Sequence, residues 1–151
     1  MPVFLPEIKG ERASLYVLSP NLNRDVFKIG ISQSIKKRMN SYHICFPEGF
    51  YIHAIILFKK NIKIPTLEKK NKEQYKNQLQ TYLKLYESIL VTEIKNKGGV
   101  NVNVTDDIER ARNLESEWFY VHPQVMKNAF TEFYKKYPYD FNRPMLKFKQ
   151  N

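Results

Sequence analysis

Residues 14–44, SLYVLSPNLNRDVFKIGISQSIKKRMNSYHI, decide the fold of this chain. An apolar, β-branched run at 14–19 is followed by turn-forming residues at 20–25 and a second apolar run at 26–29. Proline fixes φ, whereas Asn and Asp tolerate positive φ and bond their own backbone, so the middle segment predicts a turn. Because a parallel crossover needs a dozen residues or more, this short connection predicts an antiparallel hairpin.

A basic helix is predicted directly after the hairpin, which Gly30 closes. Ser32 or Ser34 can cap this helix, because a serine hydroxyl accepts a hydrogen bond from the free backbone N–H groups of the first turn. The helix then carries three cations in succession at 36–38. The stretch therefore has the order strand, turn, strand and basic helix.

This order of motifs resembles the start of the GIY-YIG nuclease superfamily. Its two name-giving motifs lie on neighbouring strands before a helix that bears a catalytic arginine. The corresponding motifs here are Leu15-Tyr16-Val17 and Lys28-Ile29-Gly30, and the arginine is Arg38. Lys28 stands where the family has its second tyrosine, and this Lys-Ile-Gly form is similar to a branch found in phages and large DNA viruses.

The rest of the chain supplies further strands and helices. Residues 50–58 form the strongest predicted strand, and their near-continuous apolarity favours a position covered on both faces. We interpret His53 within that strand as a core histidine. A long helix at about 67–97 carries an apolar stripe and ends at a Gly-Gly pair; the stripe consists of Leu79, Leu83, Tyr86, Leu90 and Ile94.

Shorter elements complete the predicted fold. Residues 100–104 alternate as a short edge strand or an extended segment, Pro123 begins a helix to about residue 137, and the tail at 138–151 is left irregular. The predicted class is α+β, with a small mixed, mainly antiparallel three-stranded sheet flanked by helices. The GIY-YIG resemblance covers about 14–121, and 122–151 form a C-terminal helix with a basic, aromatic tail.

Length and composition limit the function classes. The 151 residues suggest a single domain, 42% of them are hydrophobic, and no apolar run approaches the ~20 residues of a membrane span. Cys45 is the only cysteine, which excludes an internal disulfide framework and a cysteine-rich zinc site. The N-terminal residues lack the basic and cleavage regions of a signal peptide. We therefore expect an intracellular protein with no membrane partner, in the cytoplasm, the nucleus or a viral replication compartment.

The charge points to a polyanionic partner. Lysine and arginine total 25 against 15 acidic residues, which gives a formal charge of +10 at pH 7. Such an excess favours DNA through counterion release. The alternative is a lysine-rich proteome in which the excess only solvates the surface. The predicted DNA contacts lie on the basic helix, in the basic connection after the apolar strand and at the start of the long helix: Lys36, Lys37, Lys59, Lys60, Lys63, Lys69 and Lys70.

The resemblance implies one divalent metal, Mg²⁺ or Mn²⁺, held by a glutamate on the long helix. Glu87, within Glu87-Ser-Ile-Leu90, matches the family setting. On the helix it lies between Leu83 and Val91 at the flank of the apolar stripe, where a carboxylate is partly desolvated and needs a cation or metal. Glu93 also lies within the stripe, and periodicity does not choose between the two glutamates.

Arg38 and Tyr16 would act on the scissile phosphate and on the water. The guanidinium of Arg38 offers a planar fork that matches phosphate oxygens; the alternative is a solvated helix arginine. Tyr16 would be the general base or would orient the water, and the alternative is a buried core tyrosine. Tyrosine titrates near pH 10, so a base role needs a metal or cation nearby. Lys28, across the hairpin, can serve as that cation and contact a phosphate.

Four further residues have weaker assignments. The resemblance suggests His43, after the arginine helix, as a proton acceptor, although a solvated position at a helix end is the alternative. Asn101 or Asn103 would position the site, yet both also suit turns after the glycine pair. Glu117 begins a Glu-Trp-Phe segment that closes the domain in the viral and phage branch. It is a possible second acid, or a partner for a cation beside core aromatic residues.

Three functions remain open from the sequence. The first is a metal-dependent DNA endonuclease of GIY-YIG type, with a protein partner as a possible source of sequence specificity. The second is a catalytically silent nucleic-acid-binding protein on the same scaffold, which the Lys28 substitution favours. The third is a structural protein whose basic face binds an acidic partner. The oligomeric state is not predicted.

Overall fold

The computed structural model describes residues 12–21, 26–46, 48–58, 72–101, 117–138, 141–142 and 145–146. These residues form six strands and three helices. In chain order they are β1 (Ser14–Pro20), β2 (Val26–Ser32), α1 (Ile35–Cys45), β3 (Phe50–Leu57), α2 (Lys72–Asn96), β4 (Val100–Asn101), β5 (Glu117–Tyr120), α3 (Pro123–Lys136) and β6 (Met145–Leu146).

The predicted hairpin lies at the centre of the sheet. The strand order is β4-β5-β2-β1-β3-β6, and every described pairing is antiparallel. The β1–β2 register pairs Tyr16 with Gly30 and Leu18 with Lys28. The α+β class is confirmed, and the three strands expected from the sequence are extended at both edges by short strands of two to four residues.

A β-bulge explains why the apolar run of β3 lacks a simple alternation. The register shifts between Val17, which pairs with Ala54, and Leu18, which pairs with Ile52, so His53 is the extra residue on β3. Before the bulge Phe50 and Ile52 face one side of the sheet, and after it Ile55 and Leu57 face that same side. The bulge therefore keeps both halves of β3 in phase with the two faces of the sheet.

His53 is a core histidine, as predicted. It is buried, its Nε2 lies 2.7 Å from the Ser19 hydroxyl, and its ring contacts Phe27 at 4.8 Å. Its role is therefore to hold β3 against the hairpin.

Both faces of the sheet are covered. One face packs against α2 and α3 in the larger hydrophobic cluster, to which Phe27, Phe119 and Phe130 contribute fully buried rings. The other face packs against α1, whose buried residues are Ile35, Met39 and Tyr42. The predicted apolar stripe of α2 is confirmed, since all five of its residues are buried in the larger cluster.

The helix boundaries follow from local chemistry. Ser34 is the N-cap residue of α1, but the hydroxyl of Ser32 accepts the hydrogen bond, from the Ser34 N–H at 3.0 Å. The described part of α2 begins at Lys72, and residues 67–71 lie outside the described residues. At its other end Gly98 adopts a φ of 99°, which glycine tolerates without a Cβ penalty. None of the three described helices combines the length and apolar character needed to cross a bilayer.

The C-terminal tail is not irregular throughout, contrary to the prediction. Phe141 forms a β-bridge with Phe58, and β6 adds to the edge of β3 through Ala54↔Leu146 and Ile55↔Met145. The Phe141 ring is fully buried against Phe58 at 4.3 Å and Tyr86 at 4.9 Å. A two-residue strand and a single buried ring have no periodicity, so the sequence pattern could not reveal them.

The Phe141 contact predicts that the tail contributes to stability. Phe141→Ala removes a fully buried ring, so we expect the free energy of unfolding to fall by about 3–5 kcal/mol. Urea unfolding followed by circular dichroism measures the change. Asn142→Ala is the matched control, because that side chain is exposed and its backbone N–H still donates to the Leu57 carbonyl. Equal stability of the two variants would contradict this packing.

Candidate active site

An open cleft of about 100 Å³ lies where α1 and α2 meet the central hairpin. Its floor comes from β1 and β2, and each helix supplies one wall. Ten residues line it: Tyr16, Lys28, Ile29, Gly30, Ile31, Arg38, Tyr42, Gln80, Lys84 and Glu87. Four of the residues singled out from the sequence, on four different elements, are thus brought together.

The edge of β2 determines where the cleft can form. β5 pairs with β2 only from Val26 to Ile29, and the described residues place no strand against the rest of that edge. One side of α2 borders this region. Gln33, in the turn between β2 and α1, connects that turn to α2 by hydrogen bonds. Its side-chain amide donates to the Lys76 carbonyl at 2.8 Å and to the Gln80 side chain at 3.2 Å.

Gly30 is required because the Tyr16 ring lies against it. The two residues face each other in the β1–β2 register, and a Cβ at Gly30 would overlap the phenol end of Tyr16. The glycine of the second motif therefore makes room for the tyrosine of the first. This gives a steric reason for the pairing of the two motifs.

A chain of hydrogen bonds joins Lys28 to Tyr16 through Tyr42. Lys28 is buried, and its ammonium donates to the Tyr42 hydroxyl at 2.5 Å. The Tyr42 and Tyr16 hydroxyl oxygens are also 2.5 Å apart. Since Lys28 has only donors, the Tyr42 oxygen accepts from it, and the Tyr42 hydroxyl can donate its own proton to Tyr16. The ammonium further lies 4.5 Å from the Tyr42 ring centroid and 5.9 Å from that of Trp118.

The pKa of Tyr16 is raised well above its usual value. Burial is the largest cause, because it disfavours the charged phenolate, and the neighbouring Tyr42 adds to it. Arg38 acts in the opposite direction and Glu87 in the same direction as burial, so both charges are close enough to influence the phenol. Tyr16 is therefore a neutral phenol at neutral pH in this structure.

Arg38 and Glu87 line the cleft from different helices. Arg38 is exposed on α1, and Glu87 is half-buried on α2. Glu93, the competing glutamate, is held elsewhere by Lys136 of α3 at 3.3 Å and by Lys97 at 3.5 Å. Among the described residues the geometry therefore distinguishes the two glutamates, and Glu87 is the one that borders the cleft.

His43, Lys36 and Lys37, which were also predicted at the site, do not line the cleft. His43 is exposed on α1 with its ring 5.0 Å from Phe50, and Lys36 and Lys37 are exposed on the same helix. The backbone of Glu117 pairs with Ile29 and that of Asn101 pairs with Phe119, while their side chains are outside the described part. The remaining predicted residues are also outside the described residues: Asn103, Lys59, Lys60, Lys63, Lys69 and Lys70.

Three polar residues of the cleft were not predicted from the sequence. Tyr42 follows Arg38 by four residues, so helical spacing places both on one face of α1, and that signal was available. Gln80 and Lys84 precede Glu87 by seven and three residues and share its face of α2 for the same reason. The spacing becomes informative only once the glutamate is known to be at the site.

Of the described residues that line the cleft, Glu87 is the carboxylate that can bind a divalent metal. In the described residues, no group of three or more His, Cys, Asp or Glu side chains is suited to a metal. Mg²⁺ usually keeps several waters and takes one or two carboxylates together with substrate phosphates. An open cleft with a single half-buried carboxylate fits that mode of binding.

The fold and the cleft define a small α+β protein whose site combines buried phenols, cations and one carboxylate. A family model for the T5orf172 domain matches residues 13–134. The match spans more than half of the chain, which therefore belongs to the T5orf172 domain family, a domain of phage origin that is found in some nuclease-like proteins. No curated protein and no solved structure shows significant similarity to the chain.

The raised pKa of Tyr16 predicts an alkaline titration in which one phenol is silent. Tyr16→Phe should leave the phenolate absorbance gained between about pH 9 and 11 unchanged in the folded protein, because native Tyr16 stays protonated there. In denaturant the same variant should lose one phenol of amplitude, which is the control. A smaller amplitude for the folded variant would contradict the raised pKa.

The same shift affects stability with a definite sign. The folded protein holds the Tyr16 proton more tightly than the unfolded chain. Its contribution to stability is therefore complete below the unfolded pKa of about 10 and declines as the pH rises above it. Tyr16→Phe should flatten that alkaline decline in urea unfolding measured from pH 8 upward.

Proposed function

We propose that this protein is a metal-dependent DNA endonuclease of GIY-YIG type. The observation that carries the proposal is the convergence of Tyr16, Arg38 and Glu87, from three different elements, on one open cleft. Membership of the phage-type T5orf172 family and the charge of +10 support a nucleic-acid substrate. Family membership by itself supports the more general function of a nuclease-like, nucleic-acid-related protein.

Tyr16 orients the attacking water in this proposal. Its raised pKa makes it a phenol rather than a phenolate, so hydrogen bonding to the water is favoured over direct proton removal. Tyr42 can donate to the Tyr16 oxygen, which leaves the proton of Tyr16 for a partner in the cleft. Lys28 polarises this series of hydrogen bonds, because its ammonium donates to the Tyr42 hydroxyl.

Arg38 stabilises the phosphate as negative charge develops on it. The guanidinium is an exposed group on one wall of the cleft and can present two parallel N–H donors to phosphate oxygens. The position of this arginine is fixed by α1, because Met39 and Tyr42 of the same helix are buried in the core. Stabilisation of developing charge by preorganised donors is commonly the largest catalytic contribution.

Glu87 would hold the Mg²⁺ or Mn²⁺ ion, for which its donor chemistry is suitable. When bound, such an ion supplies Lewis-acid stabilisation of the phosphate and the leaving oxygen. The chain contributes a half-buried carboxylate that a cation can neutralise. A protein partner that supplies sequence specificity and an intracellular site of action belong to the same proposal.

A second candidate is a nucleic-acid-binding protein that has lost the reaction. Three observations favour it. Tyr16 is neutral and Lys28 occupies the position of the family's second tyrosine, and only one carboxylate lines the cleft among the described residues. Both functions predict DNA binding, so only cleavage distinguishes them.

Plasmid nicking tests the proposal directly. Purified protein is incubated with supercoiled plasmid and with branched DNA in Mg²⁺, Mn²⁺ or EDTA, beside Arg38→Ala and Glu87→Gln. We expect metal-dependent nicking, reduced at least about 100-fold in kcat by either substitution because each removes stabilisation of transition-state charge. DNA binding by both variants, measured without metal, should remain.

Glu93→Gln is the matched control for Glu87→Gln. It also removes a carboxylate from α2, but one that is paired with Lys97 and Lys136 outside the cleft. Full nicking by Glu93→Gln together with loss in Glu87→Gln supports the assigned site. Binding without cleavage in any metal would overturn the nuclease proposal in favour of the second candidate, and cleavage that survives Glu87→Gln would remove Glu87 from the mechanism.

A further inference from the structure

The α2 wall of the cleft carries a cation that the proposed reaction does not use. Gln80, Lys84 and Glu87 are spaced by four and three residues, so they form one stripe along the helix. Lys84 is exposed, whereas Glu87, the next residue of the stripe, is half-buried. Lys84 therefore stands at the rim of the cleft, across from Arg38 on α1.

Burial separates the groups inside the cleft from those at its rim. Tyr16 and Lys28 are buried and Glu87 is half-buried, whereas Lys84 is exposed. Because a nucleic-acid strand carries one phosphate per nucleotide, a strand whose scissile phosphate lies beside Arg38 and Glu87 continues past the rim with its next phosphate.

Lys84 also differs physically from the buried cation of the site. Lys28 is buried and hydrogen-bonded to Tyr42, so its position is fixed relative to the reacting phosphate. Lys84 is solvated on a flexible stem, and its charge acts through water, where salt screens it. Such a charge stabilises the bound strand about equally before and during the reaction, which is uniform binding.

We infer that Lys84 binds the phosphate next to the scissile one, so that the site engages at least two successive phosphates of one strand. The inference rests on the proposed function, because only a nuclease has a scissile phosphate. The phosphate contact of Lys84 itself requires no cleavage. Lys84 is then a determinant of substrate affinity on the α2 side of the cleft. Arg38 provides the corresponding contact for the reacting phosphate on the α1 side.

The test measures binding and turnover separately. Dissociation constants for a labelled DNA duplex and for its single strand are measured in EDTA over a range of salt concentrations. The proteins are wild type, Lys84→Ala, Lys84→Arg and Lys135→Ala. The last is the matched control, because it removes the same charge from an exposed position on α3 that does not line the cleft. Circular dichroism checks the fold of each variant.

We expect Lys84→Ala to weaken binding several-fold and to reduce the slope of log K against log salt. The reduction should be about 0.9 on duplex and about 0.7 on single-stranded DNA, as for one lost phosphate contact. Lys84→Arg should restore the slope, and Lys135→Ala should match wild type. In nicking assays with metal, the effect of Lys84→Ala should fall on KM rather than on kcat.

Different failures identify different errors. If wild type nicks DNA but Lys84→Ala binds like Lys135→Ala, the Lys84 inference is overturned and the nuclease proposal stands. If no protein nicks DNA but Lys84→Ala alone has the reduced salt slope, the phosphate contact stands and the nuclease proposal falls. A fall in kcat at unchanged affinity would place Lys84 at the reacting phosphate and overturn the inference as stated.

Discussion

The burial of the Lys28 ammonium is the constraint on which the rest of the site depends. A buried charge costs several kcal/mol unless it is well solvated by the protein. Here the ammonium donates to the Tyr42 hydroxyl and lies near the rings of Tyr42 and Trp118. α1 must therefore lie where Tyr42 can reach β2, and β5 must pair so that Trp118 stands opposite Lys28. One charged group thus fixes the positions of two neighbouring elements.

The register of the hairpin relates the position of Lys28 to that of Tyr16 in the cleft. Lys28 and Gly30 are two residues apart on β2, so they share a face of the sheet, and Tyr16 lies opposite Gly30. A slip of one residue would turn Lys28 toward the larger hydrophobic cluster and would move the Tyr16 ring onto a residue with a side chain. The steric fit of Tyr16 over Gly30 and the electrostatics of Lys28 therefore require the same register.

The sequence predicted those features that local chemistry determines. The hairpin, the basic helix, the apolar stripe of α2 and the helix that begins at Pro123 follow from turn residues and periodicity, and the structure confirms each. The place of Phe141 could not be predicted, because a single ring 55 residues from Tyr86 leaves no periodic pattern. Tyr42 was not predicted at the site, although the four-residue step from Arg38 places it on the same face of the helix.

Glu87 and Glu93 are distinguished by their partners on other helices, not by their positions on α2. Both carboxylates interrupt the apolar stripe of the same helix, and intrahelical spacing treats them as equivalent. They differ through long-range partners: Lys136 of α3 reaches Glu93, while Arg38 of α1 stands across the cleft from Glu87. A half-buried carboxylate is stabilised by whichever cation the fold brings to it. Glu93 joins two helices and Glu87 faces the open cleft, where a phosphate-bearing ligand and its counter-ion can enter.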